Sequence, residues 1–328
     1  MSEREPTKIA YLFGAGATHA ELFLEDATAE AQQGLLIQQV SSRVIDEARK
    51  NPKYLKGLEE VSSPKGSLNI ELLISLIESS KVYGWESKSR LLKKLVEKDI
   101  TRILNNAGSN RFFLHKALFE LHTLRQISNR EKLVGCISLN YDDVLDRAYS
   151  HFYGKPKYCF SLELEDAKSP VVPLLKLHGS FNWGNKNIRG KIRTIEIIPL
   201  GTSKSHLHVP YDSIWNRAME VLVQCDRLRV IGCSLSQNDA HLIDLLFKAQ
   251  LERKEPFEIE LIVPGKTGQE ISRNYGFFPK IKTLTEIEGD LISDQDPVNV
   301  FRTWLRYKIL RMRGRKAKNS KYLKLVIE

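Results

Sequence analysis

Cysteine is scarce in this sequence, and its spacing excludes a close-set metal site. Four cysteines occur in 328 residues, Cys136, Cys159, Cys225 and Cys233, and no two of them form a CxxC pair. The ligand spacing of a structural zinc module is therefore missing, and no metal is expected. Cys136 and Cys233 fall inside apolar, strand-like runs, where a free cysteine serves as a small buried hydrophobe. Long apolar runs are missing too: none approaches the roughly 18–20 residues that a membrane helix requires. Residues Met1 to Thr7 are charged and are not followed by the apolar core of a signal peptide. A cytoplasmic location with no membrane contact is the expectation. Acidic residues are lacking in one place only. Between Arg302 and Lys324 stand ten basic residues and no Asp or Glu; without those ten, Lys+Arg and Asp+Glu balance at 40 each. The formal net charge of +10 thus resides in the C-terminal segment, and the body is neutral.

What is present reads as an α/β fold. Lys8 to Phe13 is a short buried strand, and Gly14-Ala15-Gly16-Ala17-Thr18 follows it and leads into a helix-permissive stretch. A strand, a glycine-rich turn and a helix open a nucleotide-binding unit. From Glu21 to about Gln126 the spacing is helical, with Leu72, Leu73, Leu76 and Ile77 in one run and Leu91, Leu92, Leu95, Val96 and Ile100 in another. Asn69 is placed to cap the first of these, and Asn51 to Lys65 reads as a loop. Strand signals resume at Leu133–Leu139, then at Val171–Leu177, Thr194–Leu200, Asp226–Cys233 and Phe257–Val263, with helical patterns at Ile214–Gln224 and Asp239–Arg253. Continuous apolar strands alternating with helices predict a Rossmann-like, mainly parallel sheet with helices on both faces and a large helical insertion. The expected division is a core of residues 1–20 and 127–290, a helical insertion at 21–126 and a basic C-terminal helix and tail at 291–328.

The chemistry-bearing residues stand at the carboxyl ends of these strands, where open α/β sheets bind ligands. The glycines of the first turn let backbone approach a phosphate, and the helix behind them offers free N–H groups and a positive dipole end. The third glycine of the dehydrogenase fingerprint is missing, since His19 takes its place, and no acidic strand end follows about twenty residues on. A hydride-transferring dehydrogenase is thereby disfavoured. In Ser138-Leu139-Asn140-Tyr141-Asp142-Asp143, Asn140 offers a donor and an acceptor to a ribose hydroxyl or a water, while Asn140 and Asp142 can equally cap the next helix. In Lys176-Leu177-His178-Gly179-Ser180, His178 is a candidate general base or a satisfied structural histidine. In Ile231-Gly232-Cys233-Ser234-Leu235, a strand ends in a small-residue turn that admits a nucleotide.

The order GAGAT, SLNYDD, KLHGS, IGCSL resembles the sirtuin-like superfamily, over roughly Ile9 to Pro264. It looks closest to the bacterial sirtuin-like branch found in anti-phage defence proteins, in which SLNYDxxL, KLHGS and a turn like GCSLSQND are typical. The resemblance implies NAD⁺ as substrate. Gly14, Ala15, Gly16 and Thr18 would cradle its phosphates, and Gly232 and Ser234 would contact the adenosine side. Asn140 would hold the nicotinamide ribose and the attacking water, Asp142 would support that site, and His178 would be the general base. Two departures narrow the activity. The GIPDFR-like segment of the deacylases reads Glu21-Leu22-Phe23-Leu24-Glu25-Asp26 here, and the zinc module that shapes their peptide groove is missing. The expected activity is therefore NAD⁺ glycohydrolase, an NADase yielding nicotinamide and ADP-ribose or its cyclic form. A non-catalytic NAD⁺ or ADP-ribose sensor, a sirtuin-type deacylase or ADP-ribosyltransferase, and a nucleic-acid-binding module are the competing classes.

An enzyme that depletes NAD⁺ harms its host when unregulated. Control by homo-oligomerisation or a partner is therefore expected, with Glu21–Gln126, by its size and its position outside the nucleotide-binding strands, as an assembly surface; the resemblance implies a partner such as an ATPase or a nucleic-acid-guided defence protein. Phe301 to Ile309 predicts a helix with an apolar edge at Trp304, Leu305 and Ile309. The cationic residues after Gly314 read as flexible. They suit nucleic-acid phosphates, an acidic partner or plain solvation.

Overall fold

The computed structural model describes residues 5–24, 29, 31–50, 69–80, 84–107, 112–124, 130–160, 172–188, 191–194, 197–198, 208–235, 239–276, 278–284, 299–311 and 320–327. The expected loop at Asn51–Lys65 lies outside them, as do residues 312–319.

Six parallel strands form the sheet: β1 (Thr7–Phe13), β2 (Glu131–Ser138), β3 (Leu174–Lys176), β6 (Arg227–Ile231), β7 (Glu258–Ile262) and β8 (Ile281–Thr283). Their order is β3-β2-β1-β6-β7-β8. The chain starts in the middle, winds outward to one edge, then returns to the middle and winds to the other. That is the doubly wound, Rossmann-like arrangement, with its switch point between β1 and β6. A separate antiparallel hairpin joins β4 (Asn185–Ile188) and β5 (Lys191–Thr194). It corrects the strand expected from Thr194 onward: Thr194 ends β5, and Ile197 and Ile198 are not in a strand.

Period-two alternation decides which side chain faces which layer. Ala10 and Leu12 of β1, with Leu228 and Val230 of β6, pack into one core beside α7 (Tyr211–Gln224), α8 (Ala240–Leu251) and α9 (Gly265–Asn274). Ile9, Tyr11 and Phe13, on the other face, pack against α1 (Ala15–Leu22), α5 (Leu114–Thr123), α6 (Val144–Tyr153) and α10 (Val300–Arg311). A third core joins α2 (Ile37–Arg49), α3 (Ile70–Ser80) and α4 (Trp85–Asn106), tied to the sheet layers through Leu22 and Val144. Asn69 caps α3 as its sequence position suggests, its Oδ1 accepting from the N–H groups of Glu71 at 2.9 Å and Leu72 at 3.2 Å. A short 3₁₀ turn, Ala31–Gln33, precedes α2.

The C-terminus differs from its expected flexibility. Lys321–Ile327 forms α11, with Leu323 and Val326 fully buried in the second core. The N–H groups of Tyr322 and Leu323 donate to Glu120 of α5. The basic residues on α11 are the solvent side of a docked helix, because its apolar i, i+3 pair has a core to enter. Deleting residues 311–328 to test nucleic-acid binding would therefore also strip buried side chains. Among the described residues no helix is long and apolar enough to cross a membrane.

Candidate functional site

At the switch point a cavity of about 720 Å³ opens over the carboxyl ends of β1, β2, β6 and β7. The turn after β1 forms its floor. Gly14 N–H donates to the Ile231 carbonyl at 3.0 Å and Gly16 N–H to the Gly232 carbonyl at 2.8 Å, so the β1 turn is laid directly on the β6 turn. A Cβ on Gly14 would meet the Gly232 oxygen at 2.6 Å, and one on Gly16 would meet Gly232 Cα at 2.8 Å. Gly232 itself has φ +61°, and a Cβ there would lie 2.1 Å from the Ala17 nitrogen. The glycines thus let the two turns interlock and bring the start of α1 to the cavity wall without a side chain in between. Gly232→Ala combines left-handed strain with a clash against backbone that cannot retreat. It should lower folding stability by about 1–3 kcal/mol, read as a shift in the urea midpoint; a midpoint equal to wild type would show that the two turns are not locked together.

Above this floor the loop after β2 is held by a directed chain of hydrogen bonds. Asn140 Nδ2 donates to the Gly14 carbonyl at 2.9 Å and to Thr18 Oγ1 at 3.0 Å. Thr18 Oγ1 donates in turn to Asp142 Oδ2 at 3.0 Å. Asp142 Oδ1 accepts from the Val144 N–H at 2.9 Å. Asp142 is therefore both a helix cap and a strut of the site. Both amide hydrogens of Asn140 are spent on the protein, which leaves its carbonyl oxygen as the atom it can offer to a ligand. Burial pushes the Asp142 carboxyl up, against the pull of the nearby Lys176. Lys176, fully buried, supports the loop from beneath: its ammonium donates to the Asp142 carbonyl, to Asp146 at 2.9 Å and to Ser180 Oγ at 2.7 Å.

Gly14, Ala15, Gly16, Thr18, Asn140, Asp142, Gly232 and Ser234 all line the cavity. His178 does not; it is 3% exposed and stands one layer back. Its Nε2 lies 3.2 Å from Asp239 Oδ2, and its ring edge rests on Trp215. Asp239 does line the cavity, and its other oxygen accepts from the Leu242 N–H at 3.1 Å to cap α8. The motif residue and the cavity are thus connected through a carboxylate that sequence reasoning passed over. The signal was available, since Asp239 ends the GCSLSQND turn, but an Asp before an apolar helix reads as a cap and nothing more.

Glu71, on the first turn of α3, is the other residue missed. It lines the cavity beside Tyr141, whose hydroxyl donates to the Ile198 carbonyl at 3.1 Å, and its carboxyl feels the charges of His178 and Asp239. Burial pushes that carboxyl up. His19, in the place of the third glycine, also lines the wall. It stacks on Phe23 and accepts from the Leu35 N–H, and burial lowers it to about 4, so it is neutral near pH 7. Cys233 lines the cavity as well, but burial raises its thiol to about 12, which removes it as a nucleophile. Among the described lining residues there is no lysine or arginine. The carboxyls of Glu71, Asp142 and Asp239 line the cavity, and the start of α1 lies in its floor. No group of three or more His, Cys, Asp or Glu side chains among the described residues is arranged to hold a metal ion.

No family model matches the chain, and no curated protein does. Solved structures similar to it are Sir2 homologues. One, described under the mechanism and regulation of Sir2 enzymes, has a TM-score of 0.37 and 14% identity, covering 91% of this chain and 93% of that one. A Sir2 homologue variant in complex with ADP-ribose has a TM-score of 0.35 and 14% identity, over 94% and 95%. A Sir2 homologue in complex with NAD has a TM-score of 0.33 and 14% identity, over 91% and 90%. What this cavity can do rests on its own residues.

Proposed function

We propose that the chain is an NAD⁺ hydrolase that cleaves the nicotinamide–ribose bond to give nicotinamide and ADP-ribose. The observation that carries this reading is the polarity of the cavity: the positive end of the α1 helix at one part of it and three carboxyls, Glu71, Asp142 and Asp239, with no lysine or arginine among the described lining residues at another. A dinucleotide with a diphosphate and a pyridinium ring has that same charge pattern. Negative phosphate is favoured at the helix end. The pyridinium, and the oxocarbenium-like centre left when it departs, are favoured beside carboxylates.

Nicotinamide carries its positive charge on the ring nitrogen and leaves as a neutral molecule, so the leaving group needs no proton, unlike that of an ordinary glycoside. The site must hold the ribose, place a water on the far face of its C1′ and tolerate the cation. Asn140, with its amide hydrogens fixed, presents a carbonyl oxygen to the water or a ribose hydroxyl. Thr18 and Asp142 keep that amide from rotating. His178 acts through Asp239: 3.2 Å behind it, it holds the carboxylate in place. Gly14, Ala15 and Gly16 face the phosphates, and Gly232 and Ser234 the adenosine side.

The deciding experiment is to incubate the purified chain with NAD⁺ over a range of protein concentration and salt and to follow nicotinamide by chromatography. Release is expected, and His178→Ala should slow it by about 10–10² because the group it supports, Asp239, remains. If NAD⁺ or ADP-ribose binds and no nicotinamide appears at any concentration, the site is a sensor; the position of His178 behind the cavity wall favours that second reading.

We also read the chain as an NAD⁺-depleting effector of anti-phage defence, active in the cytoplasm once assembled with itself or a partner. That reading is supported by the order of the four motifs alone. Light scattering after size exclusion checks it, and a fully active monomer would count against control by assembly.

A further inference from the structure

We propose that Glu71 is a catalytic residue of this site, the base that takes the proton of the attacking water. This rests on the reading of the cavity as an NAD⁺-cleaving site and names a group that none of the four motifs contains.

Three observations lead to it. First, hydrolysis at C1′ releases a proton from water, and that proton needs an acceptor in contact with the cavity. His178 is not in contact with it, Asn140 is no base, and Asp142 has both oxygens engaged by Thr18 and Val144. Asp239 has one oxygen on the Leu242 N–H and the other on His178. Asp142 and Asp239 are thus tied to the starts of α6 and α8, whereas Glu71 is the carboxyl among the described lining residues that holds no helix start. Second, its position is fixed. The Asn69 side chain caps the helix start at the Glu71 and Leu72 N–H groups, and Ser41 Oγ of α2 accepts from the Ile70 N–H at 3.0 Å. Leu73, Ile74 and Ile77 lock the other face of α3 into the third core. Third, it meets the catalytic loops: Tyr141 adjoins Asn140, and Asp239 and His178 act on the same carboxyl. Among the described residues, those three are titratable groups that face it from the loops after β2 and β3 and from the start of α8. Burial strengthens a carboxylate as a base, and a base whose strength approaches the working pH is the effective one.

The step balances. Water oxygen bonds to C1′ as the C1′–N bond breaks, and the bonding pair goes to the pyridinium nitrogen, leaving neutral nicotinamide. One water proton passes to the Glu71 carboxylate and then to solvent. The products are nicotinamide, ADP-ribose and a proton.

The consequence reaches beyond one residue. The cradle and Asn140 belong to the sheet, whereas the base comes from the helical segment, so a displacement of α3 would switch off chemistry and leave the phosphate floor intact.

Glu71→Gln keeps the shape of the side chain and removes its basicity. With nicotinamide release as the assay and calorimetric NAD⁺ binding beside it, kcat should fall by about 10²-fold with affinity unchanged. The acid limb of the pH–kcat profile should disappear, whereas in His178→Ala it should persist. Sodium azide, a nucleophile with no proton to lose, should restore turnover to Glu71→Ala, giving the azide of ADP-ribose, and should not restore Asn140→Ala. A wild type that cleaves NAD⁺ alongside an equally active Glu71→Gln, or a Glu71→Ala that azide leaves slow, overturns the role of Glu71 and leaves the hydrolase reading standing. A wild type that releases no nicotinamide overturns both.

Discussion

Asn140→Ala should lower kcat for nicotinamide release by about 10³-fold, through lost positioning and not through lost acid–base chemistry. The side chain does two jobs with different atoms. Its two N–H bonds go to the Gly14 carbonyl and Thr18 Oγ1, which clamps the loop after β2 to the turn after β1. Its oxygen is what remains for the ribose or the water. Alanine removes both; the Gly14 carbonyl keeps its bond from the Ala17 N–H at 2.9 Å, so the loss of the clamp costs about 0.5–1.5 kcal/mol of folding stability per hydrogen bond. Asn140→Asp separates the two jobs. It is isosteric and retains an oxygen toward the cavity, but it places an acceptor against the Gly14 carbonyl and against Thr18 Oγ1. The one Thr18 hydroxyl hydrogen is already given to Asp142. The clamp therefore opens, and Asn140→Asp should be nearly as slow as Asn140→Ala. Both variants are checked by turnover at a temperature where circular dichroism shows them folded. If Asn140→Asp kept wild-type kcat, the amide bonds to Gly14 and Thr18 would be incidental, and the catalytic assignment of this loop would fail.

How much of this was legible in the sequence divides along a physical line. Strands and turns that act locally were readable: β1 with GAGAT, β2 with Asn140 and Asp142, and β6 with Gly232 each announce themselves by an apolar run that ends in small or polar residues. The parallel, doubly wound sheet follows from their alternation with helices. What failed to show was anything decided by long-range packing. Glu71 lies more than a hundred residues from Asp239, on a helix whose sequence is an ordinary amphipathic pattern; only the docking of α3 beside the loops after β2 and β3 gives its carboxyl a function. Asp239 read as a cap because it is one, and its second oxygen found His178 only in three dimensions. His178 was placed at the right strand end but one layer too far forward, because the strand pattern tells where a chain ends and not which way the next side chain turns. The α11 helix was hidden by its lysines: a cationic run looks solvated until a core exists to accept Leu323 and Val326.

Arg229→Ala should destabilise the fold by about 3–5 kcal/mol and leave kcat unchanged under folding conditions. Arg229 is 1% exposed in the middle of β6. Its guanidinium binds both oxygens of Glu131 at 2.7 Å and Glu260 at 2.7 Å, and it donates to the Tyr11 hydroxyl at 3.1 Å, with the Trp304 ring 5.5 Å away. One cation thus ties β1, β2, β6 and β7 to α10. None of these partners lines the cavity. Burial pushes the Glu131 carboxyl up, but the hydrogen bonds and charge of Arg229 outweigh it and hold the group at about 2, below the ordinary 4.5. A carboxyl lowered in the folded state contributes stability that is complete above its ordinary value and is lost as pH falls from about 4.5 through about 2. In the alanine variant the hydrogen bonds and charge of Arg229 vanish and burial remains, so Glu131 loses its ion-pair partner, whereas Glu260 keeps Arg227 at 3.0 Å. The difference in stability between wild type and Arg229→Ala should therefore be largest near pH 7 and shrink as acid protonates the orphaned Glu131. Urea unfolding at a series of pH values measures this, with the midpoint expected to move and the slope to stay the same. Adding Glu131→Gln to Arg229→Met should recover much of the loss, because the cost lies in the unpaired Glu131 charge more than in the missing contacts. A pH-independent difference, or no recovery in the double variant, would assign the loss to packing against Trp304 and Tyr11 instead.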